Sequence, residues 1–300
     1  MHIKLAPDGP QFSRIVAGVM NWGVWGQNFT PEQTADYIDR CLDLGITTFD
    51  HADIYGHYTT EKLFGDATRG NSSQREKMQL VSKCGIKLTT SNRPQHRIKS
   101  YDTSKIHILT SVDNSLRNLR TDYLDALLIH RPSPLMSPDE IGEAFTELKA
   151  AGKVRYFGVS NFTAAQMSLF AASFPLITNQ IEVSLLARSP FLNGTLDMCL
   201  EKKIVPMAWS PLAGGKVFTD TDKEQVQRIQ AAALPLQEKY NAGLDQILTA
   251  WLSGHPARII PVFGSTKIER LKAAAEALNI DLTREEWFML WEAAEGQEVP

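Results

Sequence analysis

Four polar residues of the sequence have side chains suited to acid–base chemistry, and their positions follow a common pattern. Asp50, Lys83 and His130 each end a short run of apolar or β-branched residues, and Tyr55 follows soon after Asp50. Runs of this kind predict buried strands. A carboxylate, an ammonium, an imidazole and a phenol at strand ends could transfer a proton or stabilise negative charge that develops on an oxygen atom.

Each of these residues also has an ordinary structural interpretation. An aspartate at a strand end commonly caps a loop, a tyrosine packs, a lysine lies at the surface, and a histidine beside a proline turn forms local hydrogen bonds. Considered together, the four residues favour a functional site over four separate structural roles. A buried ammonium is costly unless it is paired, and Asp50 is the obvious counter-ion for Lys83.

The elements that must position these side chains alternate between strand and helix along the whole chain. Helical segments begin at good N-caps, among them Thr30, Ser137 and Thr163. The eight candidate strands are residues 15–20, 47–50, 78–83, 126–130, 156–160, 178–182, 206–210 and 259–263. Right-handed crossovers between parallel strands leave two solutions, a closed eight-stranded barrel or an open doubly wound sheet.

The glycines near the first strand decide between these folds. An open dinucleotide-binding sheet carries Gly-x-Gly-x-x-Gly after its first strand, but this chain has Gly18, Gly23 and Gly26, with Trp22 and Trp25 between them. The spacing does not fit. We therefore predict an α/β fold, a (β/α)8 TIM barrel, whose active site lies at the C-terminal ends of the strands.

Two additions to the barrel are expected at the ends of the chain. Residues 2–5 and 12–14 flank an Ala-Pro-Asp-Gly-Pro turn and predict an N-terminal β-hairpin that could close the bottom of the barrel. Thr283 caps a C-terminal helical extension packed outside the barrel. No Pro- or Ser-rich linker divides the 300 residues, so we predict one domain over residues 1–300.

Composition and charge exclude several classes of protein. Hydrophobic residues make up 43% and charged residues 22%, which excludes intrinsic disorder. The 31 Lys and Arg against 34 Asp and Glu give a net charge of −3, so no global positive field would attract nucleic acid or a membrane surface. We expect neither as a partner.

The sequence shows no pattern typical of a signal peptide, a transmembrane helix, a disulfide framework or a zinc site. No apolar run is long enough for a signal peptide or a transmembrane helix. The 3 cysteines are widely spaced and fit neither a disulfide framework nor a zinc site. We therefore expect a cytoplasmic protein without a metal, acting as a monomer.

At these residues the chain resembles the aldo-keto reductase superfamily, and the resemblance covers about all of its length. The segments FDHADIYG, VSKCG and LIHRP are similar to those that carry the family's catalytic tetrad. The resemblance implies that Asp50, Tyr55, Lys83 and His130 are catalytic in an NADPH-dependent reductase, which transfers a hydride to the carbonyl of an aldehyde or ketone. Tyr55 would donate the proton, with its pKa lowered by Lys83, and His130 would orient the carbonyl oxygen.

The resemblance also implies which residues bind the cofactor, NADP(H). GVSNF, TNQIEVS and AWSPLAGG are similar to segments that hold and stack the nicotinamide, and the helix that starts near Lys267 is a natural anion site for the adenosine 2′-phosphate. The implied set is Met20, Ser160, Asn161, Gln180, Trp209, Ser210, Pro211, Leu212, Gly214, Lys216, Gly264, Ser265, Thr266, Lys267 and Arg270. One departure is that Ala273 and Ala274 stand where the family commonly has Glu and Asn against the adenine.

The expected partner is a small-molecule carbonyl substrate. Trp22, Trp25, Tyr55, His57 and His130 would rim an aromatic mouth, which suggests a substrate of apolar or aromatic character. The identity of the substrate does not follow from the sequence.

Three other functions remain open. A Schiff-base aldolase could use Lys83, although the neighbouring carboxylate and the implied nicotinamide residues argue against it. A metal-dependent hydrolase could use Asp50, His51 and Asp53, but further histidines at strand ends are missing. A nicotinamide-binding barrel could instead regulate a partner with little turnover, and an intact tetrad argues against that.

Overall fold

The computed structural model describes residues 2–69, 71–170 and 174–300. Its strands are β1 (His2–Lys4), β2 (Gln11–Ser13), β3 (Val16–Gly18), β4 (Thr48–Asp50), β5 (Gln79–Cys84), β6 (Ile86–Lys87), β7 (Ser100–Tyr101), β8 (Leu124–Ile129), β9 (Val154–Ser160), β10 (Asn179–Glu182), β11 (Met207–Trp209) and β12 (Ile260–Phe263). Eight of them close into a barrel in the order β3, β4, β5, β8, β9, β10, β11, β12, with every neighbouring pair parallel. The predicted (β/α)8 barrel is confirmed.

Helices surround the barrel and connect its strands. They are α1 (Pro31–Asp43), α2 (Tyr55–Tyr58), α3 (Thr60–Thr68), α4 (Ser72–Arg75), α5 (Lys105–Leu119), α6 (Pro138–Ala150), α7 (Ala164–Phe170), α8 (Ser189–Leu192), α9 (Thr195–Glu201), α10 (Lys216–Thr219), α11 (Glu224–Tyr240), α12 (Leu244–Ser253), α13 (Ile268–Ala277) and α14 (Arg284–Glu295). The expected N-caps are present, because Thr30, Ser137 and Thr163 each accept a hydrogen bond from the backbone N–H three residues later. None of the helices in the described ranges has both the length and the apolar character needed to cross a membrane.

Side chains of the barrel strands alternate between the lumen and the surrounding helices. Phe49 packs outward, with its ring 5.3 Å from that of Phe64 in α3. Its neighbour Asp50 points inward and lines a cleft at the C-terminal ends of the strands. Cys84 is buried in the same outer layer as Phe49, as expected from its position next to Lys83. The alternation therefore places Asp50 in the lumen and its neighbour Phe49 in the outer layer.

The N-terminal hairpin, β1 and β2, closes the opposite end of the barrel. Ile3, Leu5 and Phe12 are almost completely buried and pack with lumen residues such as Val81 and Leu128. Burying each such side chain stabilises the fold by roughly 1.5–3 kcal/mol. The hairpin is therefore part of the core and covers this end of the lumen.

The C-terminal extension packs outside the barrel through aromatic residues. Trp287 of α14 stacks on Trp251 of α12 with ring centroids 4.9 Å apart. Each indole N–H donates to the backbone oxygen of the other residue, at 3.1 and 3.0 Å. The predicted helical extension is confirmed.

Candidate active site

Lys83 lies in the lumen, where its ammonium is fully hydrogen-bonded. Nζ donates to Oδ2 of Asp50 at 2.7 Å, to the backbone oxygen of His51 at 2.7 Å and to Oη of Tyr55 at 3.1 Å. Three acceptors match the three protons of the ammonium. Burial by itself lowers the pKa of Lys83, but Asp50 and Tyr55 outweigh that effect and the pKa is raised. Lys83 is therefore a fixed positive charge.

Tyr55 is positioned by an unusual turn. The three residues that follow it, Gly56, His57 and Tyr58, have φ of 58°, 57° and 70°. Left-handed backbone at residues other than glycine is strained, and such strain is concentrated at functional sites. The turn brings the phenol back over the barrel to contact Lys83.

Two opposing effects set the pKa of Tyr55. The Lys83 ammonium lowers it, as expected, but burial raises it by more, so the net direction is upward. The loss of hydration of a phenolate exceeds the attraction of one ammonium. Tyr55 is therefore protonated at neutral pH.

His130 lies just beyond β8 and lines the same cleft as Tyr55, with the two rings 6.1 Å apart. Burial lowers its pKa well below the ordinary value, and the charges of Lys83, Arg131 and Lys99 add to the effect. Its Nδ1 is buried without a hydrogen-bond partner. The imidazole is therefore neutral at physiological pH.

Beside this group, three side chains from β9 to β11 are linked by hydrogen bonds. The indole Nε1–H of Trp209 donates to Oδ1 of Asn161 at 2.9 Å, and Nδ2 of Asn161 donates to Oγ of Ser160 at 2.8 Å. Asn161 has φ of 61°, so left-handed backbone recurs at this wall of the site. Amide and hydroxyl groups are thus fixed at one wall of the cleft.

The cleft as a whole has a volume of about 1040 Å³ and continues from Tyr55 and His130 to the N-terminus of α13. That is the upper end of the volume of ligand pockets in proteins, roughly 300–1,000 Å³. The predicted cofactor residues that line it are Met20, Ser160, Asn161, Gln180, Trp209, Ser210, Pro211, Leu212, Gly214, Gly264, Ser265 and Arg270. A dinucleotide-sized ligand fits this space.

Three of the predicted cofactor residues are not among the residues that line the cleft. Lys216 and Lys267 have exposed side chains, and Thr266 is half-buried beside them. Lys267 is the N-cap of α13, where its backbone N–H donates to Oγ of Ser265 at 3.1 Å. The hydroxyl of Ser265 is therefore bonded to the backbone of Lys267, and the side chain of Lys267 is exposed.

Two cations that were not predicted from the sequence lie at the mouth of the cleft. Arg131 and Lys99 line it next to His130, and Tyr101 of β7 lines the same wall. The guanidinium of Arg131 lies 5.6 Å from the ring centroid of Trp209. The position of Arg131 directly after a strand-end histidine was a usable signal, whereas nothing local to Lys99 pointed to the cleft.

The expected aromatic mouth is partly wrong. Trp22 is 1% exposed and packs in the outer core against Tyr37 and Phe64, with ring centroids 5.0 and 6.2 Å away. Trp25 does line the cleft, and its ring lies 5.3 Å from that of His57, which is exposed. The mouth therefore carries both aromatic and cationic side chains.

Two of the alternative functions lose support from this geometry. Lys83 is 1% exposed and donates all of its protons to protein acceptors, so it is not placed to attack a carbonyl as an amine. His51 and Asp53 are buried and are not among the cleft-lining residues, so they do not form a metal site with Asp50.

Comparison with known proteins agrees with this geometry. A model of the Aldo/keto reductase family matches residues 14–295. The chain belongs to the aldo/keto reductase family. Aldo-keto reductases are oxidoreductases that act on small carbonyl compounds and generally use nicotinamide cofactors.

Among the relatives of this aldo-keto reductase, an uncharacterized oxidoreductase, YcsN, of Bacillus subtilis is 51% identical over 99% of both chains. The oxidoreductase YdhF of Escherichia coli is 45% identical, again over 99% of both chains. A 6-dehydroglucose reductase of Agrobacterium fabrum is 42% identical over 97% of both chains.

A solved structure has the same fold. The thermostable aldo-keto reductase Tm1743, in complex with the inhibitor epalrestat, superimposes with a TM-score of 0.82 at 25% identity, covering 98% of this chain and 99% of its own. The resemblance to aldo-keto reductases, which was inferred from the segments around Asp50, Lys83 and His130, is confirmed.

Proposed function

We propose that this aldo-keto reductase reduces an aldehyde or ketone with NADPH and that Tyr55 donates the proton. The observation that carries the proposal is the hydrogen bond of 3.1 Å from Lys83 Nζ to Tyr55 Oη, in a cleft that also holds the neutral His130. A phenol held by a fixed ammonium, next to a neutral imidazole, is arranged to protonate an oxygen that gains negative charge.

The walls of the cleft fit a nicotinamide dinucleotide. Asn161 and Gln180 present amide groups where the carboxamide would bind, and Trp209 lies beside them. At the far end, Arg270 and Ser265 lie at the start of α13, a helix of 10 residues whose N-terminus favours a phosphate. When bound, the nicotinamide supplies the hydride, and the protein supplies its position and the electric field.

The residues of this chain then have separate tasks. Tyr55 Oη gives its proton to the carbonyl oxygen as negative charge develops there, and the Lys83 ammonium stabilises the phenolate that remains. Asp50 keeps Lys83 charged and in place. A buried N–H without an acceptor is rarer than an unpaired acceptor, so Nδ1 of His130 carries the lone pair and Nε2 the proton. Nε2–H is then the donor that orients the substrate oxygen.

Preference for NADPH over NADH rests on Arg270. It is exposed at the end of the cleft, and its guanidinium forms no ion pair among the described residues. A free guanidinium next to a helix N-terminus suits a 2′-phosphate. Ala274 stands where the family commonly has an asparagine against the adenine, so that amide is missing from the wall of the cleft. Asp245 and Thr249 of α12 line the cleft as well. These two side chains are the polar groups available to the adenosine.

The cations at the mouth point to an oxygen-rich substrate. Arg131 and Lys99 present hydrogen-bond donors and positive charge next to His130. An aromatic substrate would leave these donors unpaired when it displaced water. Two relatives, 42% and 34% identical, are 6-dehydroglucose reductases, and the name denotes a sugar carbonyl as substrate. We therefore extend the proposal to sugar-type aldehydes rather than the apolar compounds expected from the sequence.

The test is a comparison of substrate classes by NADPH oxidation. We expect a higher kcat/KM for a sugar dialdehyde than for benzaldehyde, and Arg131→Ala should lower kcat/KM for the sugar by about tenfold or more without lowering that for benzaldehyde. Lys87→Ala is the matched control, because Lys87 pairs with Asp102 at 3.5 Å and is not among the residues that line the cleft.

Two outcomes would contradict parts of the proposal. If NADPH binds but no aldehyde or ketone oxidises it, the barrel is a nicotinamide-binding regulator rather than a reductase. If Arg131→Ala lowers kcat/KM equally for both substrate classes, the sugar-type assignment fails while the reductase assignment stands.

A further inference from the structure

Gln180 makes a contact across the lumen that its expected role does not include. It lies in β10 and is 2% exposed, and its Nε2 donates to Oδ1 of Asp50 at 2.8 Å. In the barrel, β10 and β4 are separated by β11, β12 and β3. The hydrogen bond therefore spans the inside of the barrel and joins two walls of the site.

This contact completes the environment of the Asp50 carboxylate. Oδ2 accepts from Lys83 at 2.7 Å, and Oδ1 accepts from Gln180. The carboxylate is 3% exposed, and a buried charge depends on such donors to keep its position. Lys83 in turn holds Tyr55. Three hydrogen bonds therefore link Gln180 to the phenol, through Asp50 and Lys83.

The same side chain faces the cleft with its remaining hydrogen-bonding groups. A carboxamide has two N–H donors and an acceptor oxygen; one N–H is used on Asp50, and Gln180 lines the cleft beside Asn161. Its backbone oxygen accepts from Oγ of Ser160 at 2.8 Å, which fixes the strand beneath it. The free edge offers a donor and an acceptor together, which matches another carboxamide.

We propose that Gln180 is a positioning residue whose carboxamide holds the Asp50 carboxylate from across the barrel. Through this contact it couples the binding site of the nicotinamide carboxamide to the hydrogen-bonded residues Asp50, Lys83 and Tyr55. The inference rests on the proposed function for the identity of the ligand. The contact with Asp50 exists in the protein alone. Bonds formed on the free edge of an amide strengthen the donor at its other edge, because hydrogen-bonded groups polarise one another. Coupling of this kind is reciprocal between the two sites.

The first experiment tests the contact in the cofactor-free protein by a double-mutant cycle in denaturant unfolding. Gln180→Met and Asp50→Asn should each destabilise the fold, and their effects should be non-additive because the two residues share one bond. Asn179→Leu is the matched control. Asn179 precedes Gln180 but bonds outward to the backbone oxygen of Phe162 at 2.8 Å, so its effect should add to that of Asp50→Asn.

A second variant gives a signature that a structural role alone would not produce. Gln180→Glu places a second carboxyl group against Asp50, and two such groups in contact share a proton. The introduced carboxyl then has a folded-state pKa above its unfolded value, so the added stability is present at low pH and is lost as pH rises through the folded pKa. Asp50→Asn in the same chain should weaken this pH dependence and leave only the part that burial of the new carboxyl causes. A pH dependence of undiminished size in the double variant would overturn the contact.

The third measurement addresses the coupling itself. The Kd of NADPH, followed by quenching of tryptophan fluorescence, should rise severalfold for Gln180→Met in the wild-type background and by less in the Asp50→Asn background. At saturating NADPH, kcat should also fall, since Tyr55 is less well positioned. Additive changes in Kd with an unchanged kcat would make Gln180 a simple cofactor ligand and overturn the proposal. If no variant or parent binds NADPH, the proposed function fails, whereas the cycle in the cofactor-free protein still reports on the contact.

Discussion

The ammonium of Lys83 points one of its hydrogens at the phenolic oxygen of Tyr55, with Nζ and Oη 3.1 Å apart. Because that oxygen acts as the acceptor, the hydrogen of the phenol itself is free to point elsewhere. The cleft that Tyr55 lines with His130 is open space next to this phenol. The hydrogen bond from Lys83 therefore leaves the phenol hydrogen of Tyr55 free to point into the cleft.

Tyr55→Phe should abolish most of the turnover. The variant removes the proton donor and leaves the ring in place, so we expect kcat to fall on the order of 10²–10⁴-fold with NADPH affinity nearly unchanged. Stopped-flow reduction and fluorescence titration measure the two quantities. Tyr156→Phe, which removes a phenol from β9 near the hairpin end of the barrel, should keep parental rates. Parental turnover in Tyr55→Phe would end its assignment as donor.

Arg270→Ala should separate the two nicotinamide cofactors. Loss of a guanidinium bonded to a phosphate should weaken NADPH about tenfold or more, whereas NADH, which lacks that phosphate, should change by less than about twofold. Binding is measured by fluorescence. The control is Lys272→Ala in the same helix, a cation that is not among the cleft-lining residues. Equal losses for both cofactors would remove the argument for a 2′-phosphate site.

Lys83→Met should destabilise the fold strongly, because it leaves the carboxylate of Asp50 buried without its counter-ion. Breaking a buried pair in this way costs about 3–5 kcal/mol. The double variant Lys83→Met with Asp50→Asn should recover part of that loss, since no uncompensated charge remains. Urea unfolding of the four proteins gives the coupling free energy. A coupling near zero would mean that the pair at 2.7 Å contributes nothing to stability.

Stability should fall in mild acid because of His51. Its ring is completely buried against Phe64, with ring centroids 4.5 Å apart, and burial lowers its pKa to about 3. The unfolded histidine titrates near pH 6.5, so below that pH the unfolded state binds the extra proton and the free energy of unfolding falls by roughly 1.4 kcal/mol per pH unit.

The check is denaturant unfolding of His51→Phe between pH 7 and pH 5. The free energy of unfolding of the variant should fall less steeply with pH than that of the parent. The difference between the two slopes should be roughly 1.4 kcal/mol per pH unit, whatever the absolute stability of the variant. His2→Phe, which removes an exposed histidine, should keep the parental slope. An unchanged slope in His51→Phe would show that His51 does not stay neutral in the folded protein.

Gly56→Ala should affect both stability and catalysis. Gly56 has φ of 58°, and an added Cβ would lie 2.5 Å from Oγ1 of Thr60. Gly152 has φ of 69° with nothing within 4 Å, so Gly152→Ala measures the cost of left-handed backbone alone, about 1 kcal/mol. We expect Gly56→Ala to cost more than that and to lower kcat, because Tyr55 is displaced with the turn. Equal unfolding free energies for the two variants would contradict the steric argument.

Much of the site follows from the sequence because of one property of parallel barrels. The C-terminal ends of all strands meet at one face, so Asp50, Lys83 and His130 could be brought together without knowing any distance. The hairpin and the final helix followed equally from local turn and cap signals. Strand boundaries were less accurate, and β8 begins at Leu124 rather than at residue 126, because the ends of strands depend on pairing with neighbours.

Other features of the site arise only from the tertiary structure. Arg131 and Lys99 reach the cleft from different loops, and Trp22 is drawn into the outer core by Tyr37 and Phe64. The net pKa direction of Tyr55 depends on how much water the whole site excludes, and this is a property of all eight strands rather than of its neighbours in sequence.

The sequence by itself thus determined the barrel, the candidate acid–base residues and the end of the barrel at which they lie, because these depend on periodicity and residue type. The tertiary structure alone decided how they are connected. The bond from Gln180 to Asp50 joins residues 130 positions apart on separated strands, and only the closure of the barrel brings their side chains within hydrogen-bonding distance.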